Sequence, residues 1–326
     1  MSNETRRQYG FKWRQAIKIF RDRLKRGRET GSDAELRIAE LVSRKMSSNI
    51  TPSVRSYYYL GKSRGLTLLS TGQPFFINTS DRGITTWIIL GGVWETFVDN
   101  VLTKLAKSNM NFLDVGANMG YYSIKVGGLI GPHGKILSFE PNPELFEYLR
   151  DNIDINGMSP RAQIWQLALG NKADVRELKF DYQNMGGGSL MELGERSRAV
   201  SVSIDTLEHL IPAGTRIDLM KIDAEGYEPL ILEGAGTLLR ENPNMLILLE
   251  VSIGNWRQYC EPKDVLEGLI GLEKEVFRID TNGDVVPMGN ASEFLKTIDE
   301  NFVAYCLIAP RDARIRTELA EFIRLN

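Results

Sequence analysis

Five short, almost wholly apolar runs recur between residues 111 and 251, and helical segments lie between most of them. The runs are Asn111–Val115, Lys135–Phe139, Ala162–Leu167, Ile217–Ile222 and Met245–Val251. Strands that are covered on both faces read as continuous apolar runs of this kind. Alternating strands and helices in one chain therefore predict an α/β fold, a doubly wound and mostly parallel sheet with helices on both faces.

Segments on either side complete the predicted fold. Helices are predicted at Trp94–Lys107, Tyr121–Gly127, Pro143–Asn156, Glu228–Asn242 and Ala313–Leu325, and two late strands at Glu275–Ile279 and Val303–Ile308. The late strands bring the predicted sheet to seven. Ahead of the sheet, Gly65–Leu69 and Thr85–Leu90 read as short β-like runs that Gly and Pro interrupt.

Residues 1–55 differ from the remainder in charge and pattern. Residues 1–28 carry ten Lys or Arg against two acids, which is a charge of +8. Because the whole chain has a net charge of −2, the remaining residues carry −10. Apolar residues at helical spacing predict a basic helical extension, followed by one domain over residues 56–326. The extension either packs on the domain or serves a membrane or protein partner. The total charge does not favour nucleic acid as a partner.

Composition favours a soluble protein of the cytoplasm. No segment is apolar for as long as a membrane-spanning helix requires, and the first thirty residues are too charged for a signal peptide. Cys260 and Cys306 match no disulfide or metal-binding pattern, which fits a reducing compartment.

The turn after the first run has the composition of a cofactor-binding turn. Asp114 is followed by Gly116, Ala117, Asn118 and Gly120, directly before a predicted helix. Glycine lets the backbone turn tightly, and a small neighbour allows a ligand to approach. A carboxylate here would repel the pyrophosphate of a dinucleotide, whereas it suits a cofactor that bears a sulfonium and an amino group.

Acidic side chains also follow three later runs. Glu140 is well placed to accept both hydroxyls of a ribose, with Asn142 beside it in the turn. If the fourth strand continues through Asp223 and Glu225, their carboxylates point to the same side. Such a pair can hold a cationic ligand, orient an acceptor hydroxyl or accept its proton. Glu250, in the fifth run, is a further candidate for the acceptor pocket.

Taken in order, these motifs resemble the FkbM family of methyltransferases. The similar segments are GVWE from Gly92, FLDVGANMGYYS from Phe112, ILSFEPNPELFEYLRDNIDING from Ile136, ALGN from Ala168, SIDTL from Ser203, KIDAEGYE from Lys221 and ILLE from Ile247. The resemblance implies a class I methyltransferase fold, which is Rossmann-like, and S-adenosyl-L-methionine as the methyl donor. It also implies transfer to an oxygen of a sugar, glycan or natural product.

The resemblance implies roles for individual residues as well. The methionine part of the donor would be surrounded by Asp114, Gly116, Asn118 and Gly120, the ribose would be held by Glu140, and the adenine would be flanked by Gln166 to Ala168. Glu95 would help to shape the donor pocket. Asp223 and Glu225 stand at the acidic motif of the family, and one of them is expected to accept the proton of the acceptor hydroxyl.

Other functions stay open on sequence alone. One is a nicotinamide-dependent oxidoreductase on the same sheet, against which Asp114 argues. Another is a non-catalytic donor-binding module recruited through residues 1–28. A divalent metal on Asp223 and Glu250 could also acidify an acceptor, although we expect no metal. The expected partner is a small-molecule or glycan acceptor, and the oligomeric state is left open.

Overall fold

The computed structural model describes residues 57–181, 184–190, 198–298 and 303–312, together with Thr317. The predicted helical extension over residues 1–55 lies outside the described residues, and so does the closing helix Ala313–Leu325, apart from Thr317. Among the described residues, no helix is both long and apolar enough to cross a membrane.

The strands alternate with helices through most of the described chain. The strands are β1 (Tyr57–Gly61), β2 (Arg64–Leu68), β3 (Pro74–Asn78), β4 (Asn111–Val115), β5 (Lys135–Phe139), β6 (Ala162–Trp165), β7 (Ala168–Leu169), β8 (Asp174–Asp181), β9 (Asn184–Ser189), β10 (Arg198–Asp205), β11 (Leu219–Ile222), β12 (Leu246–Val251), β13 (Lys274–Ile279), β14 (Val285–Pro287) and β15 (Ala304–Pro310). The helices are α1 (Ile84–Gly91), α2 (Thr96–Leu105), α3 (Tyr121–Ile130), α4 (Pro143–Ile155), α5 (Leu207–Leu210), α6 (Glu228–Glu233), α7 (Gly236–Glu241), α8 (Ile253–Trp256), α9 (Pro262–Gly271) and α10 (Ala291–Thr297).

Eight of these strands form the main sheet of the described residues, in the order β14-β13-β15-β12-β11-β4-β5-β6. The five strands from β12 to β6 are parallel, whereas β15 runs antiparallel to both β12 and β13. The predicted seven-stranded α/β sheet is therefore confirmed, and β14 adds an eighth strand at one edge by pairing with β13.

Burial explains why the central strands form. Every side chain of β11 and β12 is buried, although successive side chains of a strand point to opposite faces. Both faces of the sheet centre are therefore covered. Apolar residues such as Phe112, Leu219 and Leu249 lie in this core with no exposed surface.

Two smaller sheets accompany the main one. Strands β1, β2 and β3 form an antiparallel sheet, and β7, β10, β8 and β9 form a second sheet in that order. In the second sheet the glycine-rich strand β9 pairs with β8.

The interpretation of Thr85–Leu90 as a β-like run is wrong, because these residues lie in α1. The Thr85 N–H donates to Asp81 Oδ2 at 3.0 Å, and the Thr85 hydroxyl donates to the Asn78 carbonyl at 2.8 Å. These two bonds satisfy polar groups at the start of the helix. Ile84 and Ile88 then share one buried face, one helical turn apart.

The predicted helix Glu228–Asn242 is divided into α6 and α7 around Gly234. A Cβ atom on Gly234 would lie 2.0 Å from the carbonyl oxygen of Gly170, so this close approach requires glycine. Strand β11 also ends at Ile222 rather than continuing through the acidic residues after it.

Candidate functional site

A cavity of about 540 Å³ opens where the loops leave the carboxyl ends of β4, β5, β11 and β12. Ligands of open parallel α/β sheets bind at this edge. Residues of β9 and Tyr305 of β15 complete the described wall. The structure therefore brings the turns selected from the sequence together with segments that are distant in the chain.

The turn after β4 adopts backbone conformations that favour glycine. Gly116 has a φ of 73°, and a Cβ there would lie 1.8 Å from the carbonyl oxygen of Asp223. Gly116, Ala117 and Asn118 line the cavity. Gly120 lies outside the described wall, and it precedes α3 with a φ of 89°. The turn thus adds only small or short polar residues to the cavity wall.

Asp114 lies beneath this turn rather than in the described cavity wall. Its side chain is fully buried, and Oδ2 accepts the Ser123 hydroxyl at 2.5 Å. Oδ1 has no hydrogen-bond partner among the described residues. Burial raises the pKa of Asp114, although the nearby ammonium of Lys221 opposes the shift.

Glu140 forms the centre of the next turn. Its Oε2 accepts the Asn118 N–H at 2.7 Å, and its Oε1 accepts the Asn142 N–H at 2.8 Å. Burial raises the pKa of Glu140 to about 7. Each carboxylate oxygen can accept a second hydrogen bond, so the side chain is oriented and still able to bind hydroxyls.

Asn142 combines a structural bond with an unused donor. Its Oδ1 accepts the Glu144 N–H at 3.0 Å and caps the start of α4. Its Nδ2 is buried and has no partner among the described residues, although Asn142 lines the cavity. A polar ligand in the cavity would satisfy this donor.

The segment after β6 supplies apolar walls. Leu167 and Ala168 line the cavity, whereas Gln166 is exposed and lies outside the described wall. The Phe139 ring stacks on Trp165 with a centroid distance of 4.5 Å. An aromatic base bound here would therefore contact aliphatic and aromatic side chains, and Gln166 would take no part.

Lys221, which is buried, and Asp223, which is half-buried, form an ion pair beside the turn after β4. Lys221 Nζ lies 2.7 Å from Asp223 Oδ2, and the Lys221 side chain is 2% exposed. Burial alone would lower the pKa of Lys221, but Asp223, Asp114 and Glu95 raise it overall. The ammonium is thus charged and held among carboxylates.

Asp223 and Glu225 both line the cavity, but they do so from a turn and not from alternating strand positions. Glu228 holds this turn, because its Oε1 accepts the N–H groups of Ala224 at 2.7 Å and Gly226 at 3.2 Å. Glu225 has a φ of 52°, and burial followed by repulsion from Asp223 raises its pKa to about 8.

Glu95 and Glu250 bring further carboxylates into the same cavity. The Tyr305 hydroxyl donates to Glu95 Oε1 at 2.5 Å, and the Tyr122 hydroxyl donates to Oε2 at 2.9 Å. Burial, reinforced by Asp223, raises the pKa of Glu95 to about 7. Glu250 Oε2 accepts the Glu225 N–H at 3.2 Å, and burial raises the pKa of Glu250 well above its usual range.

Several wall residues were not selected from the sequence. They are Asp81, Trp94, Tyr122, Tyr305 and the β9 residues 184–188. The glycines of β9 were visible as a GGGS segment, but no local pattern shows that this segment packs over a cofactor turn. A Cβ on Gly186 would lie 2.4 Å from Asn118 Nδ2, which accounts for glycine there. Within the described residues, no group of three or more His, Cys, Asp or Glu could hold a metal ion.

The family model and the similar proteins are methyltransferases. The family model described as the methyltransferase FkbM domain matches residues 114–278. Methyltransferase sdnD of Sordaria araneosa is 28% identical over 159 residues, which are 39% of this chain and 61% of that protein. Hexuronic acid methyltransferase AglP of Haloferax volcanii is 25% identical over 198 residues, 59% of this chain and 75% of that protein. The match thus spans less than two thirds of the Sordaria protein.

The chain is also similar to solved structures. The methyltransferase FkbM from Methylobacillus flagellatus has a TM-score of 0.38 and 13% identity, with 62% of this chain and 43% of that chain covered.

Proposed function

The chain belongs to the FkbM family of methyltransferases, and from this premise we propose that it moves the methyl group of its cofactor, S-adenosyl-L-methionine, to a hydroxyl oxygen. The proposed acceptor is a sugar, glycan or natural product. The Haloferax relative is named as a hexuronic acid methyltransferase, which supports an acceptor of the sugar class.

One observation carries the proposal: the turns after β4, β5 and β11 place backbone and carboxylates around one cavity. Gly116 leaves no room for a side chain, and Asn142 offers an unpaired buried donor. The Asp223 carboxylate, which lines the same cavity as the Gly116 turn, suits a cationic nucleoside and would repel the pyrophosphate of a nicotinamide cofactor. The residues present therefore fit this donor.

Each part of the donor has residues suited to it. Glu140 and Asn142 would bind the ribose, and Leu167 and Ala168 would contact the adenine. The methionine part would lie against the turn from Gly116 to Asn118, with Glu95 opposite. Gln166 is left out of this set because it is exposed. Bound there, the donor supplies an electrophilic methyl group on a positively charged sulfur.

The two carboxylates of the acidic turn have different surroundings, and we assign them different tasks. Lys221 orients Asp223 through their ion pair. Glu225 has a raised pKa, close to the value at which a carboxylate is an effective general base near neutral pH. Glu225 would accept the proton of the acceptor hydroxyl, while Asp223 orients that hydroxyl and favours positive charge nearby.

Binding and transfer can be tested separately. Calorimetry on the folded protein should detect S-adenosyl-L-methionine and its demethylated product, and should detect no NAD. Incubation with a radiolabelled donor and an extract of the source organism should then label a glycan or small molecule. Absence of donor binding would refute the cofactor assignment, and label confined to protein or nucleic acid would refute the proposed acceptor class.

A further inference from the structure

Strand β9 departs from regular pairing where it borders the cavity. Its register joins Asn184 to Asp181 and Ser189 to Lys179 of β8, so β9 advances five residues while β8 advances two. The extra residues of such a bulge leave the ladder of hydrogen bonds between the strands. We call residues 185–188 the β9 bulge, and all of them line the cavity. Pairing with β8 therefore fixes the two ends of β9 but not the wall segment between them.

Asp81 contacts the β9 bulge from the loop between β3 and α1. It lines the cavity with only 4% of its surface exposed. Burial raises the pKa of Asp81, and hydrogen bonds from three backbone N–H groups oppose the rise. Two of these donors, Thr85 and Gly83, lie at the start of α1, and the third, Met185, lies in the β9 bulge. One carboxylate thus joins the start of α1 to the main chain of the bulge.

Asn78 supports the same segment from the end of β3. Its Nδ2 donates to Met185 Sδ and to Glu144 Oε1, each at 3.1 Å. Its backbone N–H donates to Sδ of Met119, in the turn after β4, at 3.3 Å. Sulfur is a weak acceptor, whereas a carboxylate is a strong one, so Asp81 makes the stronger of these two polar contacts with the bulge.

The β9 bulge lies directly against the turn after β4. A Cβ atom on Gly186 would be 2.4 Å from Asn118 Nδ2. The Asn118 amide is itself held, because its Oδ1 accepts the Met119 N–H at 2.7 Å. The Asn118 backbone N–H donates to Glu140 Oε2. A displacement of the bulge would therefore reach residues that we assign to the methionine and ribose parts of the donor.

We propose that Asp81 is a positioning residue for the donor, which holds the β9 bulge against Asn118 and thereby fixes one wall of the donor site. The inference rests on the proposed function, since that function assigns this part of the cavity to S-adenosyl-L-methionine. Asp81 acts through the main chain of Met185 and not on the reacting atoms. Its loss should therefore weaken donor binding to an extent that depends on the contact between Gly186 and Asn118.

Two substitutions disturb the bulge from opposite ends of this series of contacts. Asp81→Ala removes the acceptor of the Met185 N–H, and the dissociation constant for S-adenosyl-L-methionine should rise about tenfold, because a hydrogen bond to a carboxylate is lost. Gly186→Ala pushes the bulge away from Asn118 and should have an effect of similar size. Asp81→Asn retains one acceptor oxygen, so its dissociation constant should lie between those of the wild type and Asp81→Ala.

The double variant Asp81→Ala/Gly186→Ala tests whether both substitutions act through the bulge. Once the bulge is released, the second substitution has little left to disturb, so the double variant should bind donor within about threefold of the weaker-binding single variant. Independent effects would instead multiply to about a hundredfold. Calorimetry on the folded variants measures the dissociation constants, and urea denaturation measures their free energies of unfolding.

Asp218→Ala is the matched control. The Asp218 carboxylate also accepts a backbone N–H, that of Asn111 at 2.8 Å, but this bond lies at the start of β4, at the edge of the sheet away from the cavity. Asp218→Ala should lower the free energy of unfolding and leave the dissociation constant for the donor unchanged. Such a result separates a loss of stability from a loss of donor binding.

Three results would overturn the inference: an unchanged dissociation constant in Asp81→Ala, a double variant whose effects multiply, or an equal loss of binding in Asp218→Ala. If Asp81→Ala does not fold, Asp81→Asn replaces it in the same cycle with an expected rise of about threefold, and the same three results decide. Should the folded wild type bind neither S-adenosyl-L-methionine nor S-adenosylhomocysteine, the proposed function is refuted instead.

Discussion

Glu225 and Asp223 are two residues apart and line the same cavity, yet their partners differ. Asp223 accepts a hydrogen bond from a buried ammonium, whereas the Glu225 backbone N–H donates to another carboxylate, that of Glu250. A cation favours the charged form of a carboxylic acid, and burial beside like charges disfavours it. The two carboxyl groups are therefore separated by their surroundings, and burial brings the pKa of Glu225 to about 8, near the pH at which enzymes work.

This separation predicts the pH dependence of catalysis. With donor at saturating concentration, the wild-type kcat/KM for the acceptor should rise with pH until Glu225 is ionised, because its raised pKa of about 8 makes it mostly protonated at lower pH. Glu225→Gln should lower kcat by about 10²- to 10⁴-fold and remove the rising limb. The measurement is a pH–rate profile with the acceptor found by labelling. Asp223→Asn is the companion variant, and its pH–rate profile should keep the rising limb.

If Glu225→Gln retains the rising limb and near-normal turnover, the base is not Glu225. If both variants keep near-normal turnover while they bind donor, the acidic turn does not accept the proton at all.

The Lys221–Asp223 pair predicts a difference in stability between two lysine variants. Lys221→Met leaves Asp223 beside Glu225 without its cation, so the free energy of unfolding should fall by about 3–5 kcal/mol. Lys263→Met breaks an exposed ion pair with Glu267 on α9, which should cost about 1 kcal/mol or less. Urea denaturation at one pH measures both. Equal losses would show that burial does not set the energy of the Lys221 pair.

The direction in which a side chain points at the end of a strand cannot be predicted reliably, and this limits the prediction of single site residues. Glu95, Glu140, Asp223 and Glu225 were expected at the site, and the structure brings all four to one cavity. Gln166 is exposed because β6 ends at Trp165, and one residue more or less at a strand end reverses the direction of a side chain.

Asp81 shows a different limit. It lies between β3 and α1, far ahead of the cofactor turn in the chain, and tertiary packing alone brings it into the cavity wall. No local pattern contains that contact.

At the level of elements, the central strands were the easiest to predict. The bounds of β4 and β5 agree with the apolar runs, because strands buried on both faces need apolar residues at every position. Helix α1 was missed because it begins at polar groups of Thr85 that bond to Asp81 and Asn78, and the apolar residues that follow resemble a strand. Hydrogen bonds to residues four and seven positions before Thr85 start that helix, whereas apolar composition decided the strands.

The turn between β4 and α3 predicts a position-specific effect of alanine. Gly116→Ala should abolish donor binding and destabilise the fold by several kcal/mol, since the new Cβ would lie 1.8 Å from the Asp223 carbonyl oxygen at a φ of 73°. Gly214→Ala is the matched control, because Gly214 has a φ of 76° and no atom within 4 Å of a Cβ. It should lose only about 1–2 kcal/mol from the left-handed conformation. Thermal unfolding and donor calorimetry measure both, and equal effects would mean that the contact with Asp223 is unimportant.

Across the whole molecule, the acidic cavity couples protons to stability. Burial raises the pKa of Glu95 and of Glu140 to about 7 and that of Glu225 to about 8, so the folded protein binds protons that the unfolded chain releases near pH 4.5. These groups therefore stabilise the ligand-free protein at low pH, and that contribution is lost as pH rises through 7 to 8. A cation in the cavity opposes this uptake of protons, because it favours the ionised carboxylates.

Donor binding should consequently release protons and strengthen with pH. Between pH 6 and 8 the affinity for S-adenosyl-L-methionine should rise by as much as about tenfold per pH unit for each proton released. S-adenosylhomocysteine lacks the sulfonium charge, so its affinity should rise less, and the preference for donor over product should grow with pH. Calorimetry in buffers of different ionisation enthalpy counts the released protons directly. A donor affinity that is independent of pH, or one that changes in parallel with that of the product, would show that the wall carboxylates do not respond to the charge on sulfur.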